Sequence, residues 1–179
     1  TSCYWIWKRF VHFNQAIENG IFPDRLKIAK VIPLFKTNED YLFENYRPIS
    51  VLPSLSKILE RVMHSQLVSY FSRFKFFYDK QYGFRSSHST ELAALEITNR
   101  IINSMDKKEV PLAIFLDLSK AFDTIDHNIL LHKLCYYGVK DKSLKLITNY
   151  LFNRKQYIYM DNISSELLPI KQASLRDHF

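Results

Sequence analysis

The stretch VPLAIFLDL, residues 110–118, constrains the fold more than any other. It is a nearly continuous apolar run of strand length that ends in a carboxylate. A strand with one wet face alternates apolar and polar residues. A continuous run predicts a strand covered on both faces, with Asp117 at its end.

The elements around it alternate between helical and β-leaning patterns. From Trp5 to Asn19 apolar residues recur at helical spacing, and Gly20 and Pro23 then supply stop signals. KIAKVIPLFK (27–36) and YRPISVLP (46–53) are β-leaning runs broken by prolines, which fits a hairpin of edge strands with Lys27, Lys30, Lys36 and Arg47 clustered on it. Ser54 or Ser56 can cap a helix to about Phe71, with Leu55, Ile58, Leu59, Val62, Met63 and Leu67 as its stripe. Ser89 or Thr90 opens another, whose expected buried face is Leu92, Leu95, Ile101 and Ile102. Asp126 is placed to cap a helix that closes at Gly138, and a further helix is expected near Lys142 to Phe152. The alternation of RKQYIYMDNISSELLPI then predicts a second hairpin turning at DNISS. The class is mixed α and β, in one unit with room for two lobes.

Composition narrows the partners. The chain has 179 residues, 47% of them hydrophobic and 24% charged, the balance of a globular protein with a real core. A formal charge of +7 favours an anionic partner, and on charge alone nucleic acid and an acidic membrane surface are both open. No run approaches the ~20 apolar residues of a bilayer span, so no membrane-spanning role is expected. Cys3 and Cys135 form neither a disulfide framework nor a zinc pair, which points to a reducing compartment. The opening TSCYWIWKRF has no initiator methionine and no secretory h-region, so secretion is not expected and the start reads as a cut edge.

Chemistry concentrates in FLDLSKAFDTIDH (115–127). A carboxylate at a strand end suits a hard cation, since Mg2+ takes oxygen ligands and is usually held by one or two carboxylates plus substrate phosphates. On local spacing alone the ordinary strand-end reading of Asp117 outweighs the metal-ligand one, and Asp123 and Asp126 fit turn and cap positions. His88, His127 and His132 have no ligand spacing and are assigned no role.

Five blocks decide between these readings: GIFPDRLKIAKVIPLFK, ENYRPISVLPSLSKILERV, QYGFRSSHSTELA, FLDLSKAFDTIDHNILLHKL and YLFNRKQYIY. In this order and at these intervals the chain resembles the reverse transcriptase domain of non-long-terminal-repeat retrotransposons, of the jockey or LINE-like kind. The resemblance implies the fingers and partial palm of a right-hand polymerase. Residues 1–109 would form the N-terminal segment and fingers, and 110–172 a partial palm with the first catalytic motif, a following helix and a hairpin. By the same resemblance Asp117 is the first catalytic aspartate, shared by two metal ions ~3.5–4 Å apart. Phe122 is the bulky residue beneath the incoming sugar. Lys36 and Arg47 match the cations that would clamp the triphosphate, arginine through its planar fork. Arg85 stands near the template, with Gly83 giving the turn its freedom and core packing expected for Tyr82 and Phe84. Arg154, Lys155 and Gln156 fall on the late hairpin that by this resemblance would contact the template and primer backbone. The implied partners are an RNA template, a DNA primer and deoxynucleotides, the implied cofactor is Mg2+, and the location is nuclear or cytoplasmic.

After ELLPIKQ the family continues with GVPQGS and later an aromatic-x-Asp-Asp turn, where this chain reads ASLRDHF. Ala173 to Phe179 can be encoded by GCG TCC CTC AGG GAT CAT TTT, which read two bases later gives V-P-Q-G-S-F. A frameshifted tail at 173–179 is therefore expected, and with it an incomplete metal site and no polymerase activity for this chain alone. The alternatives are a non-catalytic nucleic-acid-binding remnant and an inert pseudogene product.

Overall fold

The computed structural model describes residues 13–36, 42, 45–118, 121, 124–160 and 162–170. Helix α1 is described over residues 13–19, and a short 3-10 turn, Asp24–Lys27, leads into strands β1 (Ile28–Phe35) and β2 (Tyr46–Val51). Helices α2 (Ser54–Arg73), α3 (Thr90–Asp106), α4 (His127–Tyr136) and α5 (Asp141–Leu151) follow, and β3 (Lys155–Met160), β4 (Ile163–Ser164) and β5 (Leu168–Pro169) come last. The expected mixed α/β class holds. The chain forms two units, Thr1–Gln66 with Lys120–Phe179 and Leu67–Ser119.

In the first unit the helix stops are local chemistry. Gly20 adopts φ 65°, and the N–H groups of Gly20 and Ile21 donate to the carbonyls of Ile17 and Ala16, a Schellman closure of α1. A Cβ on Gly20 would stand 2.9 Å from the Lys142 carbonyl oxygen, so glycine is also what lets α5 approach. Gly138, at φ 90°, ends α4 in the same way, with Gly138 donating to Cys135 and Val139 to Leu134. At the other end of α4 the Asp126 carboxylate accepts from the N–H groups of Asn128 and Ile129 at 2.7 and 3.1 Å, the expected cap. Helix α2 departs from expectation: it begins at Ser54, straight after Pro53, and the fully buried Ser56 hydroxyl donates to Glu60 instead of capping.

Phe22, Leu59 and Leu146 form the core of this unit, with Phe13, Ile17, Leu26, Met63 and Tyr150 packed around them. The Phe22 N–H donates to Asn149 Oδ1 at 2.9 Å, and its ring lies 4.9 Å from that of Tyr150. Each such apolar side chain contributes about 1.5–3 kcal/mol by leaving water.

Strands β1 and β2 pair antiparallel, Phe35 opposite Tyr46 and Pro33 opposite Pro48. β1 is not the edge strand expected, because its other side pairs parallel with β3, Ile28 opposite Lys155. The N–H of Lys36 donates to the Asn45 carbonyl at 2.8 Å, which makes 36 and 45 a hydrogen-bonded pair. Counting back three pairs, Pro33 and Pro48 meet at a non-hydrogen-bonded one, where the ladder asks neither for an N–H. The second expected hairpin is present: β3 turns through Asn162, at φ 64°, and is paired on the return by β4 and β5.

The second unit begins within α2, at Leu67. The rings of Tyr70, Phe71, Phe74, Phe76 and Phe77 meet where α2 ends, Tyr70 and Phe74 at 4.8 Å. Ser89 caps α3 by accepting from Leu92, and Glu96 takes ion pairs from Lys80 and Arg100. The apolar face of α3 is not buried as expected: no residue of the helix is, and Leu95 is 55% exposed. The covered strand expected at 110–118 is likewise absent. The segment has no regular structure, Leu116 is 89% exposed, and no described strand pairs with it. A strand exists only where a neighbour accepts and donates its backbone hydrogen bonds. Gly83 also differs from expectation, since a Cβ there meets open space while Phe84 and Ser87 take the positive φ values.

Candidate functional site

The pleat sorts the basic residues of the first unit. Residues opposite one another in a sheet share a face and neighbours along a strand point to opposite faces. Leu34 is opposite Arg47, so Lys36, two residues on, faces the same way as Arg47 at the open end of the β1–β2 hairpin. Phe35 and Tyr46 occupy the other face there, ring centroids 5.5 Å apart. Lys30, opposite Val51 and Tyr157, joins the face of Lys36 and Arg47, and its Nζ lies 3.4 Å from the centroid of the Tyr159 ring.

On β3 the pleat divides the expected RKQ contact. Lys155 pairs with Ile28 and so shares the Lys30 face, together with Tyr157 and Tyr159. Gln156 pairs with Ala29, 1% exposed, on the opposite and covered face. Arg154 extends the pairing of β3 with β5, its carbonyl accepting from the Ile170 N–H, and by parity it points with Gln156. Its guanidinium carbon lies 5.0 Å from the centroid of the Tyr150 ring. Thus Lys30, Lys36, Arg47, Lys155, Tyr157 and Tyr159 share one face, with no carboxylate at any paired position of it, while Arg154 and Gln156 turn away. The side chains of Lys36, Arg47 and Lys155 make no hydrogen bond or ion pair among the described residues. Lys30, Tyr157 and Tyr159 were not singled out from sequence as site residues. The signal that would have found them is the alternation of KQYIY, which puts Lys155 in line with both tyrosines.

Burial, and next the nearby Arg154 charge, hold His127 below the usual histidine range, with Asp126 opposing them. Burial likewise pushes the Tyr150 phenol up, and Arg154 pulls it back.

The remaining candidates lie elsewhere. Arg85, in the second unit, donates to the Tyr78 carbonyl at 2.9 Å and stacks over the Phe77 ring at 5.5 Å, which makes it a brace of its own loop. Tyr82 meets His88 at 5.6 Å, while Phe84 is 89% exposed and is not the core residue expected. Asp117 is exposed in the irregular 110–118 segment. Among the described residues no group of three histidine, cysteine, aspartate or glutamate side chains could hold a metal ion. One exposed carboxylate leaves most of the charge of two divalent ions unbalanced, so the donor set among the described residues does not fit a two-metal centre. Phe122, Asp123 and the expected tail at 173–179 lie outside the described residues. No described helix is long and apolar enough to cross a membrane.

This face interleaves four cations and two tyrosines with the apolar Ile28, Ile32, Leu34, Ile49 and Val51 and carries no paired carboxylate, a combination that suits a polyanion partner. The chain belongs to the reverse transcriptase (RNA-dependent DNA polymerase) family, whose pattern matches residues 36–172. Within it the match is to the non-long-terminal-repeat, jockey-like branch that the five blocks resemble. Over 159 residues the chain is 32% identical to the RNA-directed DNA polymerase from mobile element jockey of Drosophila melanogaster, covering 88% of this chain and 17% of that protein. Over 122 residues it is 34% identical to the jockey polymerase of Drosophila funebris, covering 68% of this chain and 13% of that protein. The chain therefore spans under a fifth of the length of these relatives.

Proposed function

We propose that the chain forms the fingers (1–109) and the first part of the palm (110–172) of a right-hand polymerase, which within a longer parent copies RNA into DNA from deoxynucleotides. The observation that carries this reading is the shared face of Lys36 and Arg47 at the open end of the β1–β2 hairpin. Two cations so placed can grip a triphosphate, Arg47 with two parallel N–H groups and Lys36 as a point charge. Lys155, on the same face, suits the phosphate backbone of template or primer.

Asp117 is the carboxylate proposed for Mg2+ in the parent, and the ions there would supply stabilisation of the attacking and leaving oxygens. Since the described donor set does not complete that site, no polymerase activity is expected of this chain alone. Primer extension tests the reading with this chain beside a longer one that carries the remainder of a jockey-like domain. The longer chain should extend the primer and lose that ability on Asp117→Asn. Extension by the short chain, or indifference of the long one to Asp117→Asn, would overturn it.

A second reading, a nucleic-acid-binding module without catalysis, is favoured by one contrast: the basic face is built on paired strands, whereas Asp117 sits in a segment with no pairing strand among the described residues. Salt-dependent RNA binding that Asp117→Ala leaves unchanged would support it.

A further inference from the structure

Arg154 stands next to Lys155 in sequence but is held differently, and the polar groups around it form a connected set. The Glu60 carboxylate, on α2, accepts from the buried Ser56 hydroxyl at 3.1 Å and from the Tyr150 hydroxyl at 3.0 Å. Tyr150, at the end of α5, packs its ring on Phe22 and carries the Arg154 guanidinium on that ring at 5.0 Å. The adjoining Asn149 accepts the Phe22 N–H, so the end of α5 is tied to the core from two sides. Only Asn153 separates Phe152, the residue closing α5, from Arg154, and Asn153 takes a left-handed φ of 57°. Arg154 is therefore the first residue after the turn whose side chain reaches back to the helix it has left.

We propose that Glu60, Tyr150 and Arg154 form a clasp that fixes the start of β3 against α2 and α5, and that Arg154 is a positioning residue for the basic sheet face, not one of its phosphate contacts. The charges suit the task. A carboxylate at one end and a guanidinium at the other bracket a phenol that burial favours in its neutral form, the form that donates to Glu60. The clasp sets where β3 begins, and the pleat then sends Lys155 to the opposite face, beside Lys30 and in line with Tyr157. Had β3 entered the sheet one residue earlier in sequence, Arg154 would take the place of Lys155 and every side chain of the strand would change face. The clasp thus selects which of two adjacent cations is presented.

The test compares single-stranded RNA binding with thermal unfolding, and its binding arm rests on the proposed nucleic-acid role of this face. Lys155→Ala should lower the slope of log affinity against log salt by about 0.7, one phosphate's share on a single strand. Arg154→Ala and Tyr150→Phe should each weaken RNA binding severalfold, well below the unfolding temperature, and each should lose the same share of slope that Lys155→Ala loses. The double variant should bind no more weakly than either single one, and Arg154→Lys should not restore affinity, since an ammonium lacks the planar stacking surface. A loss of slope in Arg154→Ala, restored by Arg154→Lys and absent from Tyr150→Phe, would overturn the clasp in favour of a direct phosphate contact. A fall in thermal midpoint with unchanged affinity would reduce Arg154 to general stability and overturn its positioning role. If the wild-type chain binds no RNA, the interface reading fails by itself. The clasp is then decided by the thermal midpoints of the same cycle, where additive shifts for Tyr150→Phe and Arg154→Ala would reject it and coupled shifts would support it.

Discussion

Residues 28–35 and 110–118 are both apolar and β-leaning, yet they have opposite fates. The first becomes β1, paired on one side with β2 and on the other with β3, with Ala29 and Val31 buried. The second stays irregular and exposed, without a pairing strand among the described residues. Their intrinsic preference is similar, so partners make the difference. β1 has a hairpin return a few residues away and β3 arriving parallel from over a hundred residues later, and it lies in the same unit as the Phe22–Leu59–Leu146 core. β-propensity describes fit to a pleated surface that something else must provide.

The sharpest way to break this contrast is to empty both regions. Leu59→Ala should cost about 2–5 kcal/mol in denaturant unfolding, since Leu59 is 1% exposed in the core. Leu116→Ala should stay within about 0.5 kcal/mol of wild type in the same experiment. Equal losses at the two sites would mean that 110–118 is packed in solution.

Glycine offers the next contrast. Gly20→Ala should destabilise by about 1–2 kcal/mol from its left-handed backbone alone, with a further cost from the approach of the Lys142 carbonyl. Gly83→Ala, with open space around it, should be neutral or mildly stabilising through the unfolded chain. Thermal midpoints of the two variants decide the matter. Removal of the α4 cap by Asp126→Ala should cost about 1 kcal/mol, and circular dichroism at 222 nm should fall along with the midpoint.

The smallest effect expected is that of pH. His127 is held below the usual histidine value of about 6.5 by burial first and Arg154 second. The unfolded chain therefore takes up the proton before the folded one does. The contribution of this group is complete above about pH 6.5 and is lost as pH falls from there through the lower folded-state value. Unfolding midpoints between pH 7 and 5 should fall less steeply in His127→Gln. The imidazole titration followed by NMR should move upward in Arg154→Ala, and an unmoved titration would place the guanidinium away from the ring.

What was legible in the sequence was mostly local. Gly20, Gly138, Asp126 and Ser89 act through groups within five residues of themselves, and each ends or starts a helix as expected. Both hairpins were legible because a turn joins adjacent strands. The parallel pairing of β1 with β3 was not, because no local signal reports a partner 127 residues away. The stripe of α3 and the run at 110–118 misled for the same reason, since periodicity shows what a segment can bury and not what arrives to cover it. In the candidate site, the residue types at Lys36, Arg47 and Lys155 were legible from the resemblance. The turning of Arg154 and Gln156 to the covered face required knowing which face Ala29 and Val31 occupy.

The opposed Pro33 and Pro48 have a consequence beyond the hairpin they sit in. Among the described strands β2 ends the row, and at a non-hydrogen-bonded position the N–H of an ordinary residue would point outward from that margin. Pro48 leaves no hydrogen there. A strand from another molecule laid along β2 would lose a bond at mid-length, and a peptide seeking to lengthen this sheet meets a blunted border.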